Sequence, residues 1–272
     1  MTRRLDVAEI LAARRQRGLV AIFDFDGTLV PIAPTPDAVR AKSDLRRRLG
    51  QLARRTDTLV GVVSGRPLRE LGRFVGARGV WLAGLHGNER RRPGQAVERT
   101  WPPAAARTAR LLARRLQREL RDVATVRIEH KGPGLAVHVR GLSRPLRRRV
   151  ERIVRATRPR GFGLLAGRRV VELRPRTAPT KAHAIRWMSR HRPGAVVLFI
   201  GDDLTDEDGF AVLERGDYPV LVDDAAARRE RPGTNRTRAR FRLPSHRAVD
   251  RVIAALLDDR LWRAKASDSE RW

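Results

Sequence analysis

Leu19-Val20-Ala21-Ile22-Phe23-Asp24-Phe25-Asp26-Gly27-Thr28-Leu29 is the stretch on which the reading of this chain turns. Its five leading apolar residues carry no helical period and stop abruptly at an acidic, glycine-containing segment. That is the pattern of a strand buried on both faces that ends in a loop. The design recurs: Thr58 to Val63 ends at Ser64-Gly65-Arg66, Val80 to Leu85 at His86-Gly87, Ala195 to Ile200 at Gly201-Asp202-Asp203, and Tyr218 to Val222 at Asp223. Helical patterns at Pro36 to Arg54, Pro67 to Val75, Lys181 to Arg190 and Thr205 to Glu214 lie between these runs. Strand and helix in alternation predict an α/β fold with a doubly wound, Rossmann-like parallel sheet. Open sheets of this kind place ligands at the carboxyl ends of their strands, and polar residues gather at four of those ends here.

The middle of the chain breaks the rhythm. A helix over Pro102 to Arg121 is followed by strands Ala124 to His130 and Leu135 to Arg140, joined by the turn Lys131-Gly132-Pro133-Gly134. The same order repeats with a helix over Pro145 to Thr157 and strands Phe162 to Ala166 and Arg169 to Leu173 around Gly167-Arg168. Two helix–strand–strand units predict an inserted α+β domain with an antiparallel sheet. The expected division is a core from 1–88 and 178–272 with the insert at 89–177, and a tail that frays beyond Trp262.

The chain of 272 residues is 41% hydrophobic, with the apolar residues in short runs. None of these runs approaches the ~20 residues needed to span a bilayer. The Arg-rich start, Met1 to Gly18, has no signal-peptide pattern, so a cytoplasmic location without membrane attachment is expected. Without cysteine there are no disulfides, thiol nucleophiles or zinc–thiolate sites. The net charge of +29 would ordinarily point to nucleic acid. Only four of 59 basic residues are lysine (Lys42, Lys131, Lys181, Lys265), arginine occurs along the whole chain, and aromatics make up 5%. This pattern reads as a compositional bias that decorates the surface, and no specific nucleic-acid partner is expected.

Asp24 and Asp26, two positions apart after a buried strand, can both reach one site, and Gly27 permits a sharp exit. A second acidic cluster, Asp202-Asp203-Leu204-Thr205-Asp206-Glu207, follows another strand. Carboxylates converging from two strand ends form a hard, oxygen-only site suited to Mg²⁺. Part of the second cluster fits equally well as a helix cap with acidic first-turn residues. Ser64 and Lys181 offer a hydroxyl donor and a fixed cation for phosphoryl oxygens. Each has a plainer reading too, Ser64 as a helix cap and Lys181 as a surface lysine, although lysine is scarce in this chain.

In order, Asp24-Phe25-Asp26-Gly27-Thr28, Ser64-Gly65-Arg66, Lys181 and Gly201-Asp202-Asp203-Leu204-Thr205-Asp206 resemble the four motifs of haloacid dehalogenase-type phosphatases. The resemblance runs from Val20 to about Leu257, and the insert is similar to the larger cap domain of that superfamily. Finer stretches resemble trehalose-6-phosphate phosphatases: Asp24 to Ile32, Gly84 to Glu89, Glu129-His130-Lys131 ahead of His138-Val139-Arg140, Val170 to Pro175, and Gly201 to Asp208. The chain departs from that family around Lys181, where Arg174-Pro175-Arg176-Thr177-Ala178-Pro179-Thr180-Lys181-Ala182-His183 lacks the usual glycines.

The resemblance implies Asp24 as nucleophile and Asp26 as general acid and base. It implies Mg²⁺ held by Asp24, Asp202 and the Asp26 carbonyl, with Asp203 and Asp206 orienting metal-bound water or Lys181. Ser64 and Lys181 would hold the phosphoryl group. Arg66, His86, Glu129, Lys131 and Glu172 would meet the substrate, a small sugar phosphate, while the hairpin position of Glu129 and Lys131 also fits a merely solvated pair. Two rival readings are a phosphatase of the same fold acting on sucrose phosphate or mannosylglycerate phosphate, and a basic nucleic-acid-binding protein on an inactive phosphatase scaffold. The sequence leaves the oligomeric state open.

Overall fold

The computed structural model describes residues 2–33, 43–167, 170–224 and 237–258. It divides into two compact units, 1–98 with 179–272, and 99–178.

In the first unit the elements are β1 (Arg3–Arg4), α1 (Val7–Arg17), β2 (Leu19–Asp24), α2 (Ser43–Ala53), β3 (Thr58–Val63), α3 (Leu68–Val75), β4 (Trp81–Gly84), β5 (Glu89–Arg91) and β6 (Glu98–Arg99). After the insert come α6 (Lys181–Ser189), β11 (Val196–Gly201), α7 (Glu207–Phe210), β12 (Tyr218–Val222), β13 (Phe241–Leu243) and α8 (His246–Leu257). The strands form one nine-stranded sheet in the order β1-β13-β12-β11-β2-β3-β4-β5-β6. All the pairings between β1 and β4 along that order are parallel, and β5 turns back antiparallel on β4. Residues 89–98, expected in the insert, thus contribute edge strands to the main sheet.

Period-2 side-chain alternation divides each central strand between two cores. Leu19, Ala21 and Phe23 of β2 join Val196, Leu198 and Ile200 of β11 under α1, α2, α3 and α8. Val20 and Ile22, with Val197 and Phe199, pack under Ala184, Ile185 and Met188 of α6 and Phe210 of α7. Burial on both faces explains why these strands read as unbroken apolar runs.

One helical expectation is shortened and another is described only in part. Of the run from Pro36 to Arg54, positions 36–42 lie outside the described residues, as do the tail beyond Trp262 and the Gly167-Arg168 turn's second residue. The helix expected over Thr205 to Glu214 is a single 3₁₀ turn (Leu204–Asp206) and the short α7. Asp217 accounts for the early end: its carboxylate accepts the Glu214 N–H and the Val197 N–H, both at 2.9 Å, and so draws the chain toward β12.

The second unit contains α4 (Pro103–Glu119), β7 (Arg127–Lys131), β8 (Gly134–His138), α5 (Arg144–Thr157), β9 (Phe162–Gly167) and β10 (Val170–Pro175). Its strands form an antiparallel sheet, β7-β8-β10-β9. One sheet face, with Leu135, Val137, Val171 and Leu173, packs against Leu112 and Leu116 of α4 and Val150 and Val154 of α5.

Candidate active site

From β2 the chain steps outward through β3 to β4, and after the insert it returns to β11 on the other side of β2 and steps outward again through β12. The carboxyl ends of β2 and β11 therefore lie side by side at the point where the winding reverses, the usual ligand position in such sheets. Asp24 is the last residue of β2, and Asp202 directly follows Gly201 at the end of β11.

Asp24, Asp202 and Asp206 bring a carboxylate oxygen each to within 4.8 Å of one another, and all three are buried. Two glycines make the crowding possible. At Gly27, whose φ of +92° suits glycine, a Cβ would fall 2.3 Å from the Asp202 carboxylate. At Gly201 it would fall 2.3 Å from the Asp206 carboxyl carbon. Thr28, which the sequence reading did not single out, donates its hydroxyl to Asp202 at 3.3 Å.

Lys181 answers this negative charge from the first turn of α6. Its Nζ donates to Asp24 Oδ1 at 2.6 Å and to Asp206 Oδ1 at 2.7 Å, and the residue is 3% exposed. Burial disfavours the ammonium, but the Asp206 and Asp24 carboxylates outweigh it and hold the group above the usual lysine range. For Asp24 the balance is opposite. Burial pushes its carboxyl well above the usual range, and neighbouring Asp206 and Asp202 add to the push against the opposing pull of Lys181. If all three carboxyls ionise, against one ammonium, this buried, oxygen-lined cluster carries −2, a charge that a bound cation would offset. The residues present therefore fit a divalent metal ion.

Despite the missing glycines, α6 begins cleanly at Lys181. Thr180 and His183 form a reciprocal cap in which the Thr180 N–H donates to His183 Nδ1 at 3.1 Å.

The other expected residues fall into place around this cluster or away from it. The Asp206 carboxylate, besides holding Lys181, accepts the Asp202 and Asp203 N–H groups at 3.1 and 2.9 Å. Asp203 does not join the converging carboxylates: its side chain caps the 3₁₀ turn, accepting the Leu204 N–H at 2.7 Å, the plainer of the two sequence readings. Asp26 points its carboxylate to Arg66, which grips it in a two-pronged pair at 2.6 and 2.8 Å. The Arg66 guanidinium lies 5.1 Å from the Phe74 ring centroid. Buried Ser64 accepts the Arg66 N–H on its hydroxyl oxygen at 3.1 Å. His86 and Leu85 hold left-handed backbones, φ 59° and 49°, which cost about 1–3 kcal/mol each. Hydrogen bonds from His86 N to Ser64 O and from Leu85 N to Arg66 O, both 2.9 Å, fix that strained turn beside the Ser64-Gly65-Arg66 loop.

In the second unit, register brings the remaining three residues together. Glu129 of β7, Ala136 of β8 and Glu172 of β10 form one row across the sheet, and Lys131 and Gly134 begin the next on the same face. Lys131 donates to Glu172 at 2.7 Å, and Glu129 pairs with His138 Nε2 at 2.8 Å. These side chains are only 11–21% exposed for Glu172, Lys131 and Glu129, so they are not loosely solvated. Burial opposes ionisation of Glu129, yet the His138 hydrogen bond and the Lys131 charge hold its carboxyl below the usual range. His138 is a partner that residue-by-residue reading missed, because strand register is not written in the local sequence.

A family model described as trehalose-phosphatase matches residues 22–246. The chain belongs to the trehalose-phosphatase family. Two relatives within the family are trehalose-phosphate phosphatases of Mycobacterium avium and Mycobacterium tuberculosis. The first is 37% identical over 233 residues, covering 82% of this chain and 58% of the relative. The second is 34% identical over 248 residues, covering 89% and 61%. The chain thus spans about three fifths of the length of these curated relatives. Among solved structures, the trehalose-6-phosphate phosphatase C-terminal domain of Candida albicans superposes with a TM-score of 0.76 at 22% identity, covering 94% of this chain and 99% of that one. The Aspergillus fumigatus trehalose-6-phosphate phosphatase gives a TM-score of 0.66 at 26% identity, with the same coverages of 94% and 99%. Among the described residues no helix is long and apolar enough to cross a membrane.

Proposed function

We propose that this chain hydrolyses the phosphate monoester of trehalose 6-phosphate with Mg²⁺ as cofactor, the first unit carrying the chemistry and the second recognising the sugar. The observation that carries the reading is Asp24, a buried carboxylate at the switch point, held between Lys181 and two further carboxylates.

Asp24 and Asp202 would hold the ion. Asp206 fixes the set, since one of its oxygens takes Lys181 and the other takes two backbone N–H groups. When bound, Mg²⁺ supplies charge that keeps the carboxylates ionised and draws the phosphoryl oxygens into place. The carboxylate of Asp24 attacks phosphorus in line, a bond forms between them, and the bond from phosphorus to the sugar oxygen breaks. Asp26 gives its proton to the departing oxygen. It then takes a proton from the water that attacks the aspartyl phosphate, which restores Asp24 and frees inorganic phosphate. Arg66 positions Asp26 through its two-pronged grip. Lys181 and Ser64 stabilise the transferring group, whose catalysis is largely positioning and charge.

The polar face of the second sheet suits a sugar. Glu129, Lys131 and Glu172 offer fixed donors and acceptors on that face. Support for trehalose as that sugar comes from the family match and from relatives named for this activity. Asp24→Asn tests the reaction: phosphate release from trehalose 6-phosphate should fall more than a hundredfold with the fold intact, a loss of about 3 kcal/mol or more of barrier lowering. Retention of activity in that variant would remove Asp24 as the nucleophile.

A further inference from the structure

Although arginine occurs throughout the chain, net charge does not. Residues 99–178 contain twenty-two basic and five acidic residues, so +17 of the total +29 sits in 80 of 272 positions. The structure concentrates this charge further. Helices α4 and α5 cover one face of the second sheet with their apolar sides, and their opposite sides form an outer layer. Along α4, Arg107, Arg110, Arg114 and Arg118 recur at three- and four-residue spacing and are exposed. Along α5, Arg144, Arg148, Arg152 and Arg155 do the same. The acids of this layer are already engaged: Glu119 with Arg115, Asp122 with Arg149, and Glu151 with Arg147. Like charges at this spacing cost a few tenths of a kcal/mol per pair, so the bare protein carries the rows at a loss.

We propose that the outer face of α4 and α5 is a sequence-independent binding surface for the phosphate backbone of double-stranded nucleic acid. It goes beyond the hydrolase reading and does not depend on it. A duplex presents one negative charge per ~1.7 Å of axis, and the arginines of each helix form a row of roughly 16–17 Å along it at ~1.5 Å rise per residue. The guanidinium fork matches phosphate geometry. The helices carry no aromatic side chain, so the face lacks both the stacking platform of a single-strand binder and the anchors of a membrane-surface helix. Leu111 is its one large exposed apolar residue among those described.

The test is fluorescence anisotropy of the full chain with a labelled 20-base-pair duplex of arbitrary sequence, in 50 to 300 mM KCl. Log affinity against log salt should fall with a slope of about −5 to −7, from six to eight phosphate contacts at ~0.9 each. Arg110→Glu, Arg114→Glu, Arg148→Glu and Arg152→Glu combined should weaken binding at least a hundredfold at 100 mM and flatten the slope by about 3 to 4. Hydrolysis of p-nitrophenyl phosphate and the circular-dichroism spectrum should stay unchanged. Four outcomes overturn the proposal: no duplex binding at 50 mM salt, equal binding by the variant, tighter binding to phosphatidylserine vesicles than to duplex, or equal affinity for polyglutamate.

Discussion

Replacing Lys181 by methionine separates the charge of this side chain from its bulk. The ammonium donates at 2.6 and 2.7 Å to Asp24 and Asp206, which are 4% and 0% exposed. Its removal leaves two buried carboxylates facing each other without a cation. Breaking a buried ion pair from one side costs about 3–5 kcal/mol. Lys181→Met should therefore lose about 3–5 kcal/mol of stability in EDTA at pH 7. Urea unfolding, followed by hydrogen exchange of the β2 and β11 amides, reads that loss in the first unit. Adding Asp206→Asn to Lys181→Met should restore about 1–3 kcal/mol, since its amide oxygen can still accept the Asp202 and Asp203 N–H groups while the like charge disappears. Neither variant should hydrolyse substrate. Lys181→Met within 1 kcal/mol of the parent in EDTA would refute the claim that this lysine balances the cluster.

Glu129→Ala and Lys131→Ala should each cut kcat/KM for trehalose 6-phosphate about tenfold or more, from buried polar contacts of ~1–3 kcal/mol, while p-nitrophenyl phosphate hydrolysis holds; parallel loss of both activities would make them structural residues. Gly201→Ala puts a Cβ 2.3 Å from the Asp206 carboxyl carbon, so thermal unfolding should show about 1–3 kcal/mol of destabilisation together with at least tenfold lower activity; unchanged behaviour would mean that Asp206 is not fixed there.

The central strands were legible because burial on both faces writes itself as an unbroken apolar run: Leu19 to Phe23 and Thr58 to Val63 match β2 and β3 to within a residue. Helices α1 and α8 were not read. For α1 the signals existed, with Asp6 as its cap accepting the Ala8 N–H and Gly18 at its end, but the run between them is dense in arginine and weak in helical periodicity. The approach of Asp24 to Asp202 could be assembled from strand ends alone. The grip of Arg66 on Asp26 and the pairing of Glu129 with His138 depend on turn geometry and register between distant segments, which local sequence does not encode.

Phosphate release in Mg²⁺ from a panel holding trehalose 6-phosphate, sucrose 6-phosphate, mannosylglycerate phosphate and glucose 6-phosphate tests the central claim most directly. The account predicts that kcat/KM for trehalose 6-phosphate exceeds each of the others by at least tenfold, about 1.4 kcal/mol of differential transition-state binding. Equal or faster turnover of any other sugar phosphate would contradict it.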